Sequence, residues 1–153
     1  MNLRQITYKD QLELRKVYFD SIKSIEKQSY SPEQIRAWSS KAWDNNNLNN
    51  SIVKGKGWLI NEKETIIAFG LRYPKNRLSL LYCLGKHQRK GLGTKLLYKI
   101  EEEAKEEGLE YIYTEASLLS YRLLLKLDWE ILRKEKIIIN NIFFERYKMI
   151  KIF

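Results

Sequence analysis

The sequence predicts a mixed α/β fold, a sheet of about six to seven strands flanked by about four helices. Three observations predict it. Segments with apolar residues at helical spacing alternate with short runs of strand length. One such run, Leu78-Ser79-Leu80-Leu81-Tyr82-Cys83-Leu84, is nearly all apolar, as expected of a central strand covered on both faces. The chain then ends in two long β-rich runs that turn at Asn140-Asn141. At 153 residues, without linker, repeat or low-complexity stretch, one domain spanning 1–153 is expected, large enough to bury its own core.

Leu3 to Thr7 reads as the first strand. Asp10 is placed to cap a helix running to about Glu26, whose apolar face is Leu12, Leu14, Val17, Tyr18, Ile22 and Ile25. Ser31-Pro32-Glu33-Gln34 is a helix start: a capping serine, proline at the first position and glutamine at the capping-box spacing. That helix carries Ile35 and Trp38, and Trp43 either continues it or follows it. The asparagines 45–47 and 49–50 break the pattern and read as a loop. Gly57–Ile60 and Thr65–Leu71 read as strands around a turn at 61–63, and Leu78–Gly85 is the apolar strand. Leu92, Leu96, Leu97, Ile100 and Ala104 mark one face of the next helix, which Gly108 ends in a left-handed cap. Tyr111–Glu115 is a short strand, Ser117 caps a helix to about Leu127, and Trp129–Ile139 with Ile142–Ile150 form the terminal hairpin.

The chemistry concentrates at Gln88-Arg89-Lys90-Gly91-Leu92-Gly93-Thr94. A strand feeding a glycine-containing turn that opens a helix is an anion site, because the first-turn N–H groups lack internal partners and sit at the positive end of the helix dipole. Gly91 and Gly93 leave the backbone open to a phosphate, and Arg89, Lys90 and Lys95 add positive charge. The same glycines also suit an ordinary strand-to-helix turn.

Composition narrows the rest. Apolar residues make up 44% and aromatics 12% of the chain, too much for disorder. No run is long enough for a membrane span and the start carries no signal-peptide pattern, so a cytoplasmic protein is expected. Cys83 and His87 are the only residues of their types, which argues against disulfides and against cysteine- or histidine-based metal centres; no metal is expected. As a lone strand cysteine, Cys83 reads as a small buried apolar residue rather than a nucleophile. The net charge of +9 favours anionic partners and disfavours a polycationic substrate, although a lysine-rich composition alone also produces it.

Gln88-Arg89-Lys90-Gly91-Leu92-Gly93 resembles motif A of the GNAT N-acetyltransferase superfamily, Q/R-x-x-G-x-G/A. Thr114-Glu115-Ala116-Ser117-Leu118 followed by Leu127-Asp128-Trp129 is similar to the family's V-E-A-S-L … L-G-F segment, and Tyr30 to Trp38 resembles a second-helix segment of one bacterial branch. The resemblance implies the GNAT fold, with a mostly antiparallel central sheet. It also implies acetyl-CoA as co-substrate: the pyrophosphate on Gln88 through Thr94, the pantetheine arm along Leu81, Tyr82, Cys83 and Leu84, and a further pantetheine contact from Ser117, which doubles as a helix cap. A backbone N–H near Cys83 or Leu84 is the implied oxyanion donor. Tyr30 and Trp38, with Tyr18 and Trp43, fall on helices that wall the family's acceptor groove, where they either bind the acceptor or pack onto the sheet.

The sequence also departs from the family. Leu124 stands where a thiolate-protonating tyrosine is usual, Arg122 where a proline is, and Asp128 where the glycine of L-G-F is; Ser79 and Leu80 replace an Asp-Arg pair. Tyr121, one turn earlier, is a substitute acid or a packing residue. Glu115, at the carboxyl end of its strand, is the best remaining base, or else a structural glutamate paired with an arginine. The leading expectation is transfer of an acetyl group to a small-molecule or peptide amine by direct attack, in a monomer or homodimer without a membrane partner. Two alternatives stay open: a CoA-binding pseudoenzyme, and an acetyltransferase directed at RNA such as charged tRNA.

Overall fold

A computed structural model describes residues 1–43 and 45–153. Along them run β1 (Asn2–Gln5), α1 (Gln11–Lys23), α2 (Pro32–Ser40), α3 (Asn46–Lys54), β2 (Lys56–Glu62), β3 (Thr65–Arg72) and β4 (Leu78–Cys83). They continue with α4 (Leu92–Glu106), β5 (Tyr111–Ala116), α5 (Tyr121–Lys126), β6 (Glu130–Ile139) and β7 (Ile142–Ile152). The strands form two antiparallel sheets, ordered β1-β2-β3-β4 and β5-β7-β6. This is the mixed, mostly antiparallel α/β architecture expected, with one helix more than the sequence indicated.

The two sheets meet at one place. Arg77 bridges Tyr113 in parallel, and the Tyr113 N–H donates to the Asn76 carbonyl at 2.9 Å. Thr114 Oγ1 adds a bond to the Leu78 carbonyl at 2.6 Å. Past that clamp no ladder joins β4 to β5 among the described residues, and the strands splay. Side chains alternate across the sheets. Leu80, Tyr82, Ile137, Ile139 and Phe144 pack with α1 and α2 on one face. Ile112, Ala116, Tyr147 and Met149 pack with α4 and α5 on the other.

Local chemistry explains most element boundaries. Ser31 Oγ accepts from the Gln34 N–H at 3.1 Å while Gln34 Oε1 accepts from the Ser31 N–H at 2.9 Å, the full capping box at the start of α2. All five residues of the expected α4 face are buried, and Gly108 takes φ +83 just beyond the helix. Asn140 and Asn141 hold φ +49 and +65, the left-handed pair that a tight β6–β7 turn requires.

Four expectations need correction. The asparagine-rich stretch is α3, not a loop: Asn45 accepts from the Leu48 N–H at 3.0 Å as N-cap, and Leu48, Ser51 and Ile52 then bury one face. Asp10 does not cap α1. Its carboxylate takes two bonds from Arg4, each 2.9 Å, and one from the Thr7 N–H at 2.8 Å, so its acceptors are spent on the preceding turn. Ser117 begins a turn rather than a helix: its Oγ accepts from the N–H groups of Leu119 and Ser120, both at 3.2 Å, and α5 starts only at Tyr121. Leu12, placed in the core by spacing, is exposed, and α1 buries Ser21 as well.

Candidate active site

The Gly91 loop leads β4 into α4. After a short 3-10 turn at Gly85–His87, Arg89 takes φ +62 and Gly91 φ +80, so the chain enters the helix through left-handed backbone. Gly91 is the N-cap residue and supplies no side-chain cap, and no acidic residue occupies the first turn. By helix geometry the N–H groups of Leu92, Gly93 and Thr94 have no intrahelical acceptor, which leaves them for an anion. A Cβ added at Gly91 would meet nothing within 4 Å, so the space over the loop is open. Arg89, Lys90 and Lys95 are exposed around it. Gln88 closes the loop from below, donating through Nε2 to the Cys83 carbonyl at 3.2 Å.

The register of β4 decides which backbone groups face the splay. The Leu84 N–H donates to the Ile67 carbonyl at 2.9 Å, and Phe69 and Leu71 pair with Tyr82 and Leu80. Antiparallel hydrogen bonding alternates, so Tyr82 and Leu84 direct their N–H groups to β3. Leu81 and Cys83 direct theirs the opposite way, into the gap before β5. Cys83 therefore has the free backbone donor of the Cys83–Leu84 pair. Burial pushes its thiol up to about 11, which leaves the side chain un-ionised and poorly nucleophilic near neutrality.

Loop and splay open into one cavity of about 970 Å³. Gln88, Arg89, Gly91, Gly93 and Thr94 line one end; Tyr30, Trp38, Tyr82 and Phe144 line another. The protein thus joins a phosphate-sized backbone site to an aromatic chamber through a slot with two inward N–H groups. Residues 26–151 match the family model for the acetyltransferase (GNAT) domain.

The chain belongs to the GNAT acetyltransferase family.

No curated protein matches it. Among solved structures it is similar to a GCN5-related N-acetyltransferase from Rhodopseudomonas palustris, with TM-score 0.91 and 20% identity over 99% of this chain and 95% of that one. It is similar also to the PaiA N-acetyltransferase of Thermoplasma acidophilum in complex with coenzyme A, with TM-score 0.74 and 19% identity over 100% of both chains. A third similar fold is yncA of Salmonella typhimurium, a putative acetyltransferase with its cofactor acetyl-CoA, at TM-score 0.67 and 15% identity over 99% of this chain and 93% of that one.

In this GNAT domain the aromatic chamber is tightly built. The Tyr18 ring lies edge-on to Tyr82 at 4.7 Å and Tyr30 to Trp38 at 5.2 Å, while Trp38 reaches Phe144 at 6.3 Å. Tyr18 OH donates to the Trp38 carbonyl at 3.1 Å, and Tyr30 OH accepts from the Leu118 N–H at 3.0 Å. Burial raises the pKa of all three cavity phenols, that of Tyr82 to about 12. Ser117 lines the cavity, its Oγ 3.0 Å from that of Ser120. Trp43 is exposed and lies outside the cavity lining.

Glu115 lines the cavity with both carboxylate oxygens on Arg77 Nε, at 3.2 and 3.1 Å. Tyr121 is not among the cavity-lining residues: its ring centre lies 4.5 Å from that of Tyr147 and its OH accepts from Arg122. The helix residues that do line the cavity include Leu123 and buried Leu124, so the position aligned with the usual tyrosine faces the site as a hydrocarbon. Sequence reasoning missed Lys41, Arg77, Phe144 and Arg146, all cavity residues. The signal for the last two is the period-2 alternation of β7, which puts Phe144, Arg146 and Lys148 on one face.

Proposed function

We propose that the chain transfers an acetyl group from acetyl-CoA to an amine by direct attack of the amine nitrogen on the thioester carbonyl. The observation that carries this reading is the uncapped N-terminus of α4 behind Gly91, opening into the same cavity as the splayed β4 edge. The two similar folds that hold coenzyme A or acetyl-CoA support it. The residues present fit that co-substrate. The Leu92, Gly93 and Thr94 N–H groups and the loop cations suit the pyrophosphate, and the inward backbone of Leu81 and Cys83 suits the amide-bearing pantetheine arm. Acetyl-CoA supplies an activated acyl group: the new C–N bond forms as the C–S bond breaks, and CoA leaves as a thiol once protonated. In this reading the Cys83 N–H donates to the carbonyl oxygen as it gains charge. Glu115, fixed by Arg77, takes the proton that the amine sheds.

Leu124 favours a second reading, a CoA-binding protein without transfer, because the position aligned with the usual tyrosine carries a buried hydrocarbon. Calorimetric titration with acetyl-CoA, followed by thiol release across an amine panel, separates the two. Binding with release supports transfer; binding without release supports the second reading. Gly91→Asp, which puts a carboxylate into the anion site, is expected to abolish acetyl-CoA binding; unchanged binding overturns both readings.

A further inference from the structure

The segment between β4 and α4 has few ties to the rest of the protein. Leu84 still donates to the Ile67 carbonyl on β3, and from Gly91 onward the chain belongs to α4. Between those points the bonds are local. The His87 N–H donates to the Leu84 carbonyl at 2.9 Å, the Gln88 N–H to the Gly85 carbonyl at 3.3 Å, and the Gln88 side chain to the Cys83 carbonyl. Among the described residues, a single hydrogen bond joins residues 85–90 to another element: the Gly85 N–H donates to Asp20 Oδ2 on α1 at 3.0 Å. Gln88, Arg89 and Lys90 beyond it are exposed.

α1 ends directly against this turn. Asp20 lies near its C-terminus and Ser24 is its C-cap, with Oγ donating to the Asp20 carbonyl at 2.7 Å. A Cβ added at Gly85 would stand 2.2 Å from Ser24 Oγ and 2.5 Å from Ser24 Cβ, so helix and turn meet this closely only because residue 85 is glycine. α1 is itself fixed to the first sheet, where Leu14, Val17, Tyr18 and Ile22 are buried with Leu59, Phe69 and Leu80. Asp20 thus ties the loop to a packed helix. Its charge is the wrong one for the place, since a carboxylate at the foot of an anion-collecting loop opposes the anion. What favours it there is the acceptor oxygen. A loop fixed before the ligand arrives spares the binding step the cost of ordering it.

We infer that Asp20 is a positioning residue for acetyl-CoA, acting through the Gly85 N–H to hold residues 85–90 in the conformation that receives the pyrophosphate. This rests on the reading of the glycine loop as the coenzyme A site. It adds to that site a residue that does not line the cavity.

Two substitutions at one position test it. Asp20→Asn keeps an acceptor oxygen for Gly85 and removes the charge, whereas Asp20→Ala removes both. Calorimetric titration with CoA reads binding without requiring turnover. Asp20→Asn is expected to bind CoA as tightly as the wild type or more tightly, and Asp20→Ala about fivefold more weakly, the scale of one net hydrogen bond. Gly85→Ala, which pushes the turn away from Ser24, is an independent variant. It should weaken CoA binding too, and adding it to Asp20→Ala should cost little more, because both act on one contact. All titrations are run well below the melting temperature of each variant. Unchanged affinity in Asp20→Ala, or an equal loss in Asp20→Ala and Asp20→Asn, overturns the inference; no CoA binding by the wild type overturns it together with the site. Thiol release with an amine panel is read separately, and there the acetyl-CoA KM should follow the same pattern while the acceptor KM holds. Contrasting alanine and asparagine responses without thiol release leave the anchor standing and remove acetyl transfer. Thiol release with one acetyl-CoA affinity across wild type and both variants does the reverse.

Discussion

At the scale of single residues, Cys83 shows how backbone and side chain of one position carry different chemistry. Its N–H faces the splay by register, while its thiol is held back by burial with a pKa of about 11. The sign is testable. A thiol raised above the usual ~8.5 stays protonated to higher pH, so iodoacetamide labelling of the native protein should be slow at pH 8 and still rising tenfold per unit above pH 9. A labelling midpoint near that of a free thiol would mean that the side chain is solvated and the buried strand geometry is wrong there. Glu115 poses the complementary case, a side chain whose role is proposed and whose partner is fixed. Glu115→Gln keeps the shape but loses the charge that receives a proton. It is expected to lower kcat and flatten the acid limb of the kcat/KM profile. A lower melting temperature with an unchanged pH profile would assign Glu115 to holding Arg77 alone.

Among the elements, α2 does the most for the aromatic end of the cavity, because it carries Trp38. Its start depends on the Ser31–Gln34 capping box. Ser31→Ala is expected to cost about 1 kcal/mol in a urea melt. Because the frayed helix bears the aromatic end of the cavity and not the glycine loop, the KM of the proposed amine acceptor should rise while acetyl-CoA affinity holds; parallel loss of both would argue that α2 supports the whole cavity. This helix was legible in the sequence because serine, proline and glutamine each satisfy a backbone need at a fixed position. The Gly91 loop was legible for the same reason, since left-handed backbone and an open approach are properties that glycine encodes locally. α3 was not. Asparagine favours turns in isolation, and only the burial of Leu48, Ser51 and Ile52 against the rest of the protein makes helix the better state. Lys41, Arg77 and Arg146 were hidden for another reason: they come from distant parts of the chain, and only strand pairing and helix docking bring them to one cavity.

On the scale of the whole molecule, the site exists because two sheets join at one end and part at the other. The join is small: the Arg77–Tyr113 bridge, the Tyr113 N–H to Asn76, and the Thr114 hydroxyl on the Leu78 carbonyl. α4 is fastened to the first sheet separately, through buried Arg72, which bonds Glu103 at 2.9 Å and also Glu107. The loop end of the cavity and the splay therefore have different anchors. Thr114 is 5% exposed, so Thr114→Val preserves volume but leaves the Leu78 carbonyl without that donor, at a cost of about 1–3 kcal/mol. If the clamp sets the width of the slot, the same variant should also weaken acetyl-CoA binding, although no atom of the Gly91 loop has changed. Calorimetry well below the variant's melting temperature reads the second effect apart from the first. Reduced stability with wild-type affinity would mean that the splay is held open by α4 and its Arg72 anchor, and that the threonine only secures the fold.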